Sequence, residues 1–348
     1  MAAEEKKKLT PISDLGEFGL IEHISEKVKI KNKETRTGIG DDAAVLDFSG
    51  MQTVVTSDIL VEGVHFDLMY TPLKHLGYKA VIVNLSDVVA MNAIPKQIIV
   101  SIAMSGKFSV EAVDELYSGI YKACEAYGVD LVGGDTTSSV TGLTISVTAI
   151  GAAQKEEIVY RSGARENDII CATGDLGAAY MGLQLLEREK EVFKANPHTQ
   201  PELSGNDYIL SRILKPEARL DVIKKLRELL IKPTAMMDIS DGLSSELLHI
   251  CKQSHCGCRI YQDKLAISQE AAELANEMNL EPLIAALNGG EDYELVFTID
   301  PADYEKIKDI EQIVAIGHVT SEEKGKYMVP KSGENIELKA QGWNAYKK

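Results

Sequence analysis

GIGDDAAVLDFSGMQTVVTSDILVEGVHFD, residues 38–67, alternates short apolar runs with carboxylates. Asp41, Asp42, Asp47, Asp58, Glu62 and Asp67 stand close to glycine or small residues. Residues 51–56 read as a strand, with Asp58 just past its end. Carboxylates packed this densely repel one another, so a compact fold holds them only where water or shared cations offset the charge. Oxygen-rich sites of this kind suit hard ions such as Mg2+, which keep waters and substrate phosphates in their shell. Downstream, residues 72–91 read as a largely buried helix and 98–104 as a strand. Residues 110–127 form an amphipathic helix closed by Gly128, and 143–150 form another strand. Strands alternating with helices give an α/β or α+β unit.

A polar, glycine-containing stretch at 151–168 separates this unit from a second one, so the expected division is 1–152 and 153–348. Two units suit a chain of 348 residues. In the second unit, strands are expected at 169–173, 234–238, 295–299 and 314–316. Helices are expected at 177–187, 216–230 and 244–253. Residues 188–208, with Pro197 and Pro201, read as an extended surface insertion. Upstream, residues 1–10 read as a charged extension and 16–30 as a short helix.

Composition narrows the function. The chain carries 37 basic against 53 acidic residues, a formal charge of −16. This argues against nucleic-acid binding, which needs a basic footprint. It also means that an anionic substrate needs metal ions to offset repulsion. The longest apolar region, 80–104, is broken by Asn84, Asp87, Asn92, Pro95, Lys96 and Gln97, so no membrane span is expected. The first residues lack the apolar core of a signal peptide. Five irregularly spaced cysteines fit a reducing cytoplasm better than a disulfide framework.

Four aspartates, Asp42, Asp58, Asp87 and Asp135, lie at the end of or inside apolar segments, where a lone carboxylate is costly. They are the candidate metal ligands. Asp87 in particular needs a partner. GIGDDA (38–43) fits the letter of a dinucleotide fingerprint, but polar residues precede it where a strand is required, and its aspartates face where a pyrophosphate must approach. No P-loop motif occurs. GGDTT (133–137) reads either as a phosphate-approach turn or as a plain turn between elements. DISDG (238–242) opens a helix, where Ser240 or Asp241 serves as an N-cap, a phosphate contact, or both. GGEDYEL (289–295) crowds three acids into a tight turn before a strand, and turn chemistry accounts for its glycines only. His249, Cys251, His255, Cys256 and Cys258 match no paired zinc-ligand spacing.

Taken together, GEFGLI (16–21), GIGDDAAVL (38–46), TSDILVEGVHF (56–66), NLSDVVAMNAIP (84–95), GGDTTS (133–138), RSGA (161–164), DISDGLSSEL (238–247) and GGEDYELVF (289–297) resemble the thiamine-monophosphate kinase family. The first five are shared more loosely with aminoimidazole ribonucleotide synthetase, selenophosphate synthetase and the hydrogenase-maturation dehydratase. The last two are far more specific. The resemblance implies a two-domain synthetase-like fold and ATP-dependent phosphorylation of thiamine monophosphate, the last step of thiamine diphosphate biosynthesis. It also implies several Mg2+ ions and a homodimer that packs its N-terminal sheets together. Carried onto this chain, it marks Asp42, Ser57, Asp58, Asp87, Asp135, Asp238 and Asp241 as Mg2+ ligands. Tyr117, Gly134, Asp135, Arg161 and Ser240 are marked as ATP contacts, and His65, Glu291 and Trp343 as substrate contacts. A phosphomonoester has its second pKa near ~6, so it arrives already largely dianionic. No general base and no covalent nucleophile is expected, and transfer is expected to be direct.

Overall fold

The computed structural model describes residues 35–37, 44–48, 50–105 and 108–342. The expected segments at 1–10 and 16–30, the GIGDDA stretch with Asp41 and Asp42, and Trp343 lie outside the described residues.

The first sheet takes β1 (Thr35–Thr37), β2 (Ala44–Phe48) and β3 (Met51–Val61), followed by helix α1 (Leu73–Ala90) and β4 (Ile94–Met104). Helix α2 (Val110–Tyr127), β5 (Asp130–Ser138) and β6 (Thr144–Gln154) complete the unit. Its six strands run in the order β1-β2-β3-β6-β4-β5. Only the β4–β5 pair is parallel.

Helix α1 is buried on nearly every side, which explains its uniform apolarity. It packs on β3 and β6 and against α2. The two helices approach closely because Gly77 and Gly119 face each other's backbone. A Cβ on Gly77 would lie 2.0 Å from the Leu116 carbonyl oxygen, and one on Gly119 1.8 Å from that of Lys74. Gly128 ends α2 in the left-handed conformation, at φ 65°. The sheet face opposite these helices carries Met51, Ile59 and Ile99 in exposed positions.

The second sheet follows from β7 (Ile169–Thr173). Helices α3 (Ala178–Ala195), α4 (Asp207–Leu214) and α5 (Leu220–Glu228) lead to β8 (Ala235–Asp238). Next come α6 (Leu243–Ser254), β9 (Cys256–Tyr261), α7 (Gln269–Glu277), α8 (Pro282–Asn288) and β10 (Leu295–Ile299). Strands β11 (Ile313–Ser321), β12 (Lys326–Val329) and β13 (Ile336–Glu337) close it, in the order β13-β12-β9-β11-β7-β10-β8. One hydrophobic core joins the two units, since Leu85 and Val88 of α1 share it with Ile223, Met236 and Phe297. The architecture is mixed α/β, with two sheets and their covering helices.

Several expectations are corrected. Strand β3 continues through Asp58, because residues 58–61 still find ladder partners on β6. The expected extended insertion at 188–208 begins as helix, with α3 running to Ala195. Its charges form i,i+3 ion pairs along one face, Lys190 with Glu187 and Lys194 with Glu191. Pro216 lies before α5 and not in its first turn. GGDTT is part of β5 and not a turn. A Cβ on Gly134 would meet the Val100 carbonyl oxygen at 1.9 Å, so glycine is required there by strand packing. The thiols Cys124, Cys171, Cys251, Cys256 and Cys258 are all free and buried.

Candidate active site

One cavity of about 950 Å³ opens between the two units. Its first-unit wall is built by β3 and α1, and its second-unit wall by the segment after β8 and the turn before β10. Ser57, Asp58, His65, Asp87, Arg161, Asp238, Ser240, Asp241 and Glu291 all line it. Residues from 57 to 291 in the chain thus meet at one place.

Helix α1 organises the acidic wall. Asn84 accepts the Asp58 N–H on its side-chain oxygen at 2.9 Å. Ser86 donates its hydroxyl to Asp238 at 2.6 Å across the unit boundary. Asp87, partly exposed to the cavity, finds a partner in Thr56, whose hydroxyl donates to it at 2.6 Å. His65 accepts the Val61 N–H on Nδ1 at 3.0 Å. That bond puts the ring proton on Nε2 and leaves the imidazole a donor there. Among the described residues, no three His, Cys, Asp or Glu side chains converge closely enough to hold an ion alone.

The other wall joins the two acidic motifs. The backbone N–H of Ile239 donates to the Glu294 carbonyl at 2.7 Å, Tyr293 N–H to the Ile239 carbonyl at 2.9 Å, and Glu291 N–H to the Ser240 carbonyl at 2.7 Å. The turn between is tight, with Gly290, Glu291 and Tyr293 at φ 70°, 63° and 52°. Two of these residues carry side chains in a region that favours glycine, a strain that sites hold more often than loops do. The N-cap of helix α6 is Gly242, which offers no side-chain cap, so Ser240 and Asp241 are not its N-cap. Instead, the buried Glu246 accepts the Asp241 N–H at 3.0 Å. Burial first, and the Asp241 charge second, push the Glu246 carboxyl well above its ordinary range.

The three acids of GGEDYEL separate in function. Glu291 faces the cavity and pairs with Lys79. Glu294 is buried and pairs with Arg212 at 3.1 Å and Arg219 at 3.4 Å. Asp292 accepts the Gly177 N–H at 2.9 Å through one oxygen. Its other oxygen is buried without a hydrogen bond, and Arg212 stands 4.0 Å away. Burial raises this carboxyl from 3.8 to about 7. A raised carboxyl holds its proton in the folded chain where the unfolded chain has released it. The stabilisation is therefore full below the ordinary value and lost as pH rises through about 7. Asp292→Asn mimics the neutral form, so wild type should lose melting temperature relative to this variant across that window. A pH-independent difference between the two would contradict it.

Three nucleotide candidates do not line the cavity. Tyr117 sits half-buried on α2, beside Tyr121 at a ring separation of 5.8 Å. Gly134 and Asp135 lie on β5, with Asp135 in the cross-strand row of Ser101, Ser146 and Ile59. That row belongs to the open face of the sheet, while Asp58 belongs to the covered one. Three strand spacings, roughly 14 Å, also separate β5 from β3. Asp42 and Trp343 lie outside the described residues. Gln341 and Gly342, just before Trp343, do line the cavity, and Gln341 N–H donates to the Asn288 side chain at 3.1 Å.

Sequence reasoning missed Lys79, Thr56, Asn84 and Ser86. A signal existed for each, since all are polar residues inside otherwise apolar elements. The Cys/His stretch does not build a second site, for Cys256 and Cys258 lie inside β9 and pack with Cys251 in the core.

Residues 40–153 match the family described as AIR synthase related protein, N-terminal domain, and 165–330 its C-terminal domain. The chain is 35% identical to the thiamine-monophosphate kinase of Bacillus subtilis (strain 168) over 341 residues, covering 96% of this chain and 100% of that one. It is 34% identical to that of Aquifex aeolicus (strain VF5), covering 96% and 99%. The solved structure of AaThiL complexed with AMPPCP and TMP superposes with a TM-score of 0.82 at 32% identity, over 97% of this chain and 99% of that one. A HypE–HypF complex at 21% identity and TM-score 0.69 shares the fold.

Proposed function

Because the chain belongs to the thiamine-monophosphate kinase family, within the AIR synthase related proteins, we infer that it transfers the γ-phosphoryl group of ATP to thiamine monophosphate, giving thiamine diphosphate and ADP. The observation that carries this reading is the single cavity in which the DISDG and GGEDYEL motifs, bonded backbone to backbone, face the acidic wall of α1. The nucleophile is a phosphate oxygen of the acceptor, already ionised at neutral pH. It attacks the γ-phosphorus as the bond to the β–γ bridging oxygen breaks, and ADP leaves. No proton needs removing and no side chain needs to be phosphorylated. What the chain supplies is in-line positioning and a setting for the charge. Thr56 and Ser86 fix the Asp87 and Asp238 carboxylates, Asn84 holds the Asp58 backbone, and His65 offers a donor.

The donor set fits Mg2+: all-oxygen, split across two walls, and without a three-carboxylate cage, as for an ion that keeps waters and substrate phosphates. Asp58, Asp87, Asp238 and Asp241 would hold it in the cavity, while Asp42, Ser57 and Asp135, marked by the resemblance, would serve a further ion, Ser57 and Asp135 lying on the open sheet face. When bound, it supplies charge neutralisation and a template for the two phosphates. Arg161 and Ser240 are proposed as nucleotide contacts on the cavity wall, and Tyr117 on α2 with Gly134 and Asp135 on β5 as contacts outside it. His65, Glu291 and Trp343 are proposed for the acceptor.

A homodimer through that open face is part of the proposal. Met51 at 42%, Ile59 at 55% and Ile99 at 36% exposure leave apolar side chains on that face among Ser57, Ser101 and Ser146, which a second sheet would cover. Sedimentation should give a species of twice 38.0 kDa, and Ile59→Arg should yield monomer. A wild-type monomer at micromolar concentration would refute the dimer. Among the described residues no helix is long and apolar enough to cross a membrane. We place the reaction in the cytoplasm, where ATP is available and buried thiols stay reduced. The division near residue 152 is retained as the proposed domain boundary.

Incubation with ATP, Mg2+ and thiamine monophosphate tests the function by chromatography. One thiamine diphosphate per ADP is the expected outcome. ATP hydrolysis that depends on a different small molecule would instead indicate a synthetase. Radiolabelled phosphate trapped on denatured protein would overturn direct transfer.

A further inference from the structure

Lys79 is a charged residue in the middle of the most buried helix of the protein, 6% exposed. A lysine there is costly unless its ammonium is fully engaged. Its partners are not on its own unit. The Nζ donates to the Ile213 carbonyl at 3.2 Å, and it pairs with the Glu291 carboxylate. Ile213 lies in the last turn of α4, where carbonyls lack intrahelical partners and the helix dipole favours a cation. Two of the three ammonium donors are thereby used, and Lys79 itself lines the cavity beside Glu291.

Glu291 is therefore held twice. Its backbone is fixed in the left-handed region by the bond to Ser240, and its carboxylate is fixed by Lys79. The charge arithmetic explains why this matters. The cavity already carries Asp58, Asp87, Asp238 and Asp241. An unpaired Glu291 would add a further negative charge against an arriving phosphate dianion, and its side chain would be free to turn towards the other acids. With Lys79 in place the pair is neutral and oriented.

We propose that Lys79 is a positioning residue for the acceptor: by neutralising and orienting Glu291, it sets the affinity for thiamine monophosphate and not that for ATP. The inference rests on the kinase reading above. A lysine serving only as a strut between the units would change stability without distinguishing the two substrates.

Steady-state kinetics of Lys79→Met, Lys79→Gln, Glu291→Gln and the Lys79→Met/Glu291→Gln double variant separate these roles, with thermal melts run on each. Lys79→Met should raise KM for thiamine monophosphate about tenfold or more, equivalent to roughly 1.4 kcal/mol. KM for ATP should stay within about twofold of wild type. Adding Lys79→Met to Glu291→Gln should change the acceptor KM by less than about threefold, since residues that act together are non-additive. Lys79→Gln keeps a donor for the Ile213 carbonyl and carries the same test if the methionine variant does not fold. Its acceptor KM should rise while its ATP KM does not. Equal rises in both KM values, an unchanged acceptor KM, or multiplicative effects of the two single variants would overturn the inference while leaving the kinase reading intact. A wild-type protein that makes no thiamine diphosphate would overturn both.

Discussion

Asp87→Asn should lower kcat for thiamine diphosphate formation by roughly 10²–10³-fold, with a melting temperature equal to or above that of wild type. Asparagine keeps an oxygen that accepts the Thr56 hydroxyl, so the local hydrogen bond survives. What disappears is one negative charge in a cavity that also carries Asp58 and Asp238. Removing it relieves repulsion in the empty protein but would weaken the hold on the Mg2+ that offsets the charge of the two phosphates. The opposite signs are the diagnostic. Activity would be measured at saturating ATP and thiamine monophosphate, with Mg2+ raised until the rate no longer responds. A variant that melts early and loses activity in proportion would make Asp87 a structural residue. One that keeps full kcat would remove it from the site.

Glu294→Ala should be the most destabilising single change in the second unit, costing about 3–5 kcal/mol. Glu294 is 1% exposed and meets Arg212 and Arg219 while accepting the Thr173 hydroxyl. Truncation leaves two largely buried guanidinium groups without their shared carboxylate, and a buried hydroxyl without its acceptor. The network also joins α4 and the approach to α5 to strands β7 and β10, so loosening it should propagate to the Glu291 turn. Urea unfolding would measure the loss. Glu294→Gln, whose single amide oxygen can still accept from one of the two arginines, should cost less than alanine. Equal stability of the alanine variant and wild type would mean that the arginines find other partners.

These two carboxylates show where sequence reading succeeds and where it stops. Asp87 was identifiable because a charge inside a long apolar helix must have a partner or a task, whatever the rest of the fold does. Glu294 was only one of three acids in a turn. Nothing local tells that Glu291 faces a cavity while Asp292 and Glu294 face inward, because backbone direction in that turn depends on its pairing with the strand from Ala235 to Asp238. GGDTT misled for a related reason. Its glycines read as a turn, yet Gly134 sits in a strand because the neighbouring backbone at Val100 leaves no space for a Cβ. The polar run after Glu187 read as a loop because helix propensity in charged sequence comes from i,i+3 pairs, which a hydrophobic pattern does not register.

The sequence alone determined the α/β alternation, the end of α2 at Gly128, the strand at 295–299 and the acidic wall around Asp58 and Asp87. All follow from local causes: side-chain periodicity, glycine conformation, and the cost of burying charge. Only the tertiary structure decided that Lys79 meets Glu291, that Ser86 reaches Asp238, and that Asp135 lies away from the cavity on the open sheet face. Those pairings join residues far apart in the chain across a boundary between two sheets. Their geometry is set by packing of the shared core, which no short stretch of sequence contains.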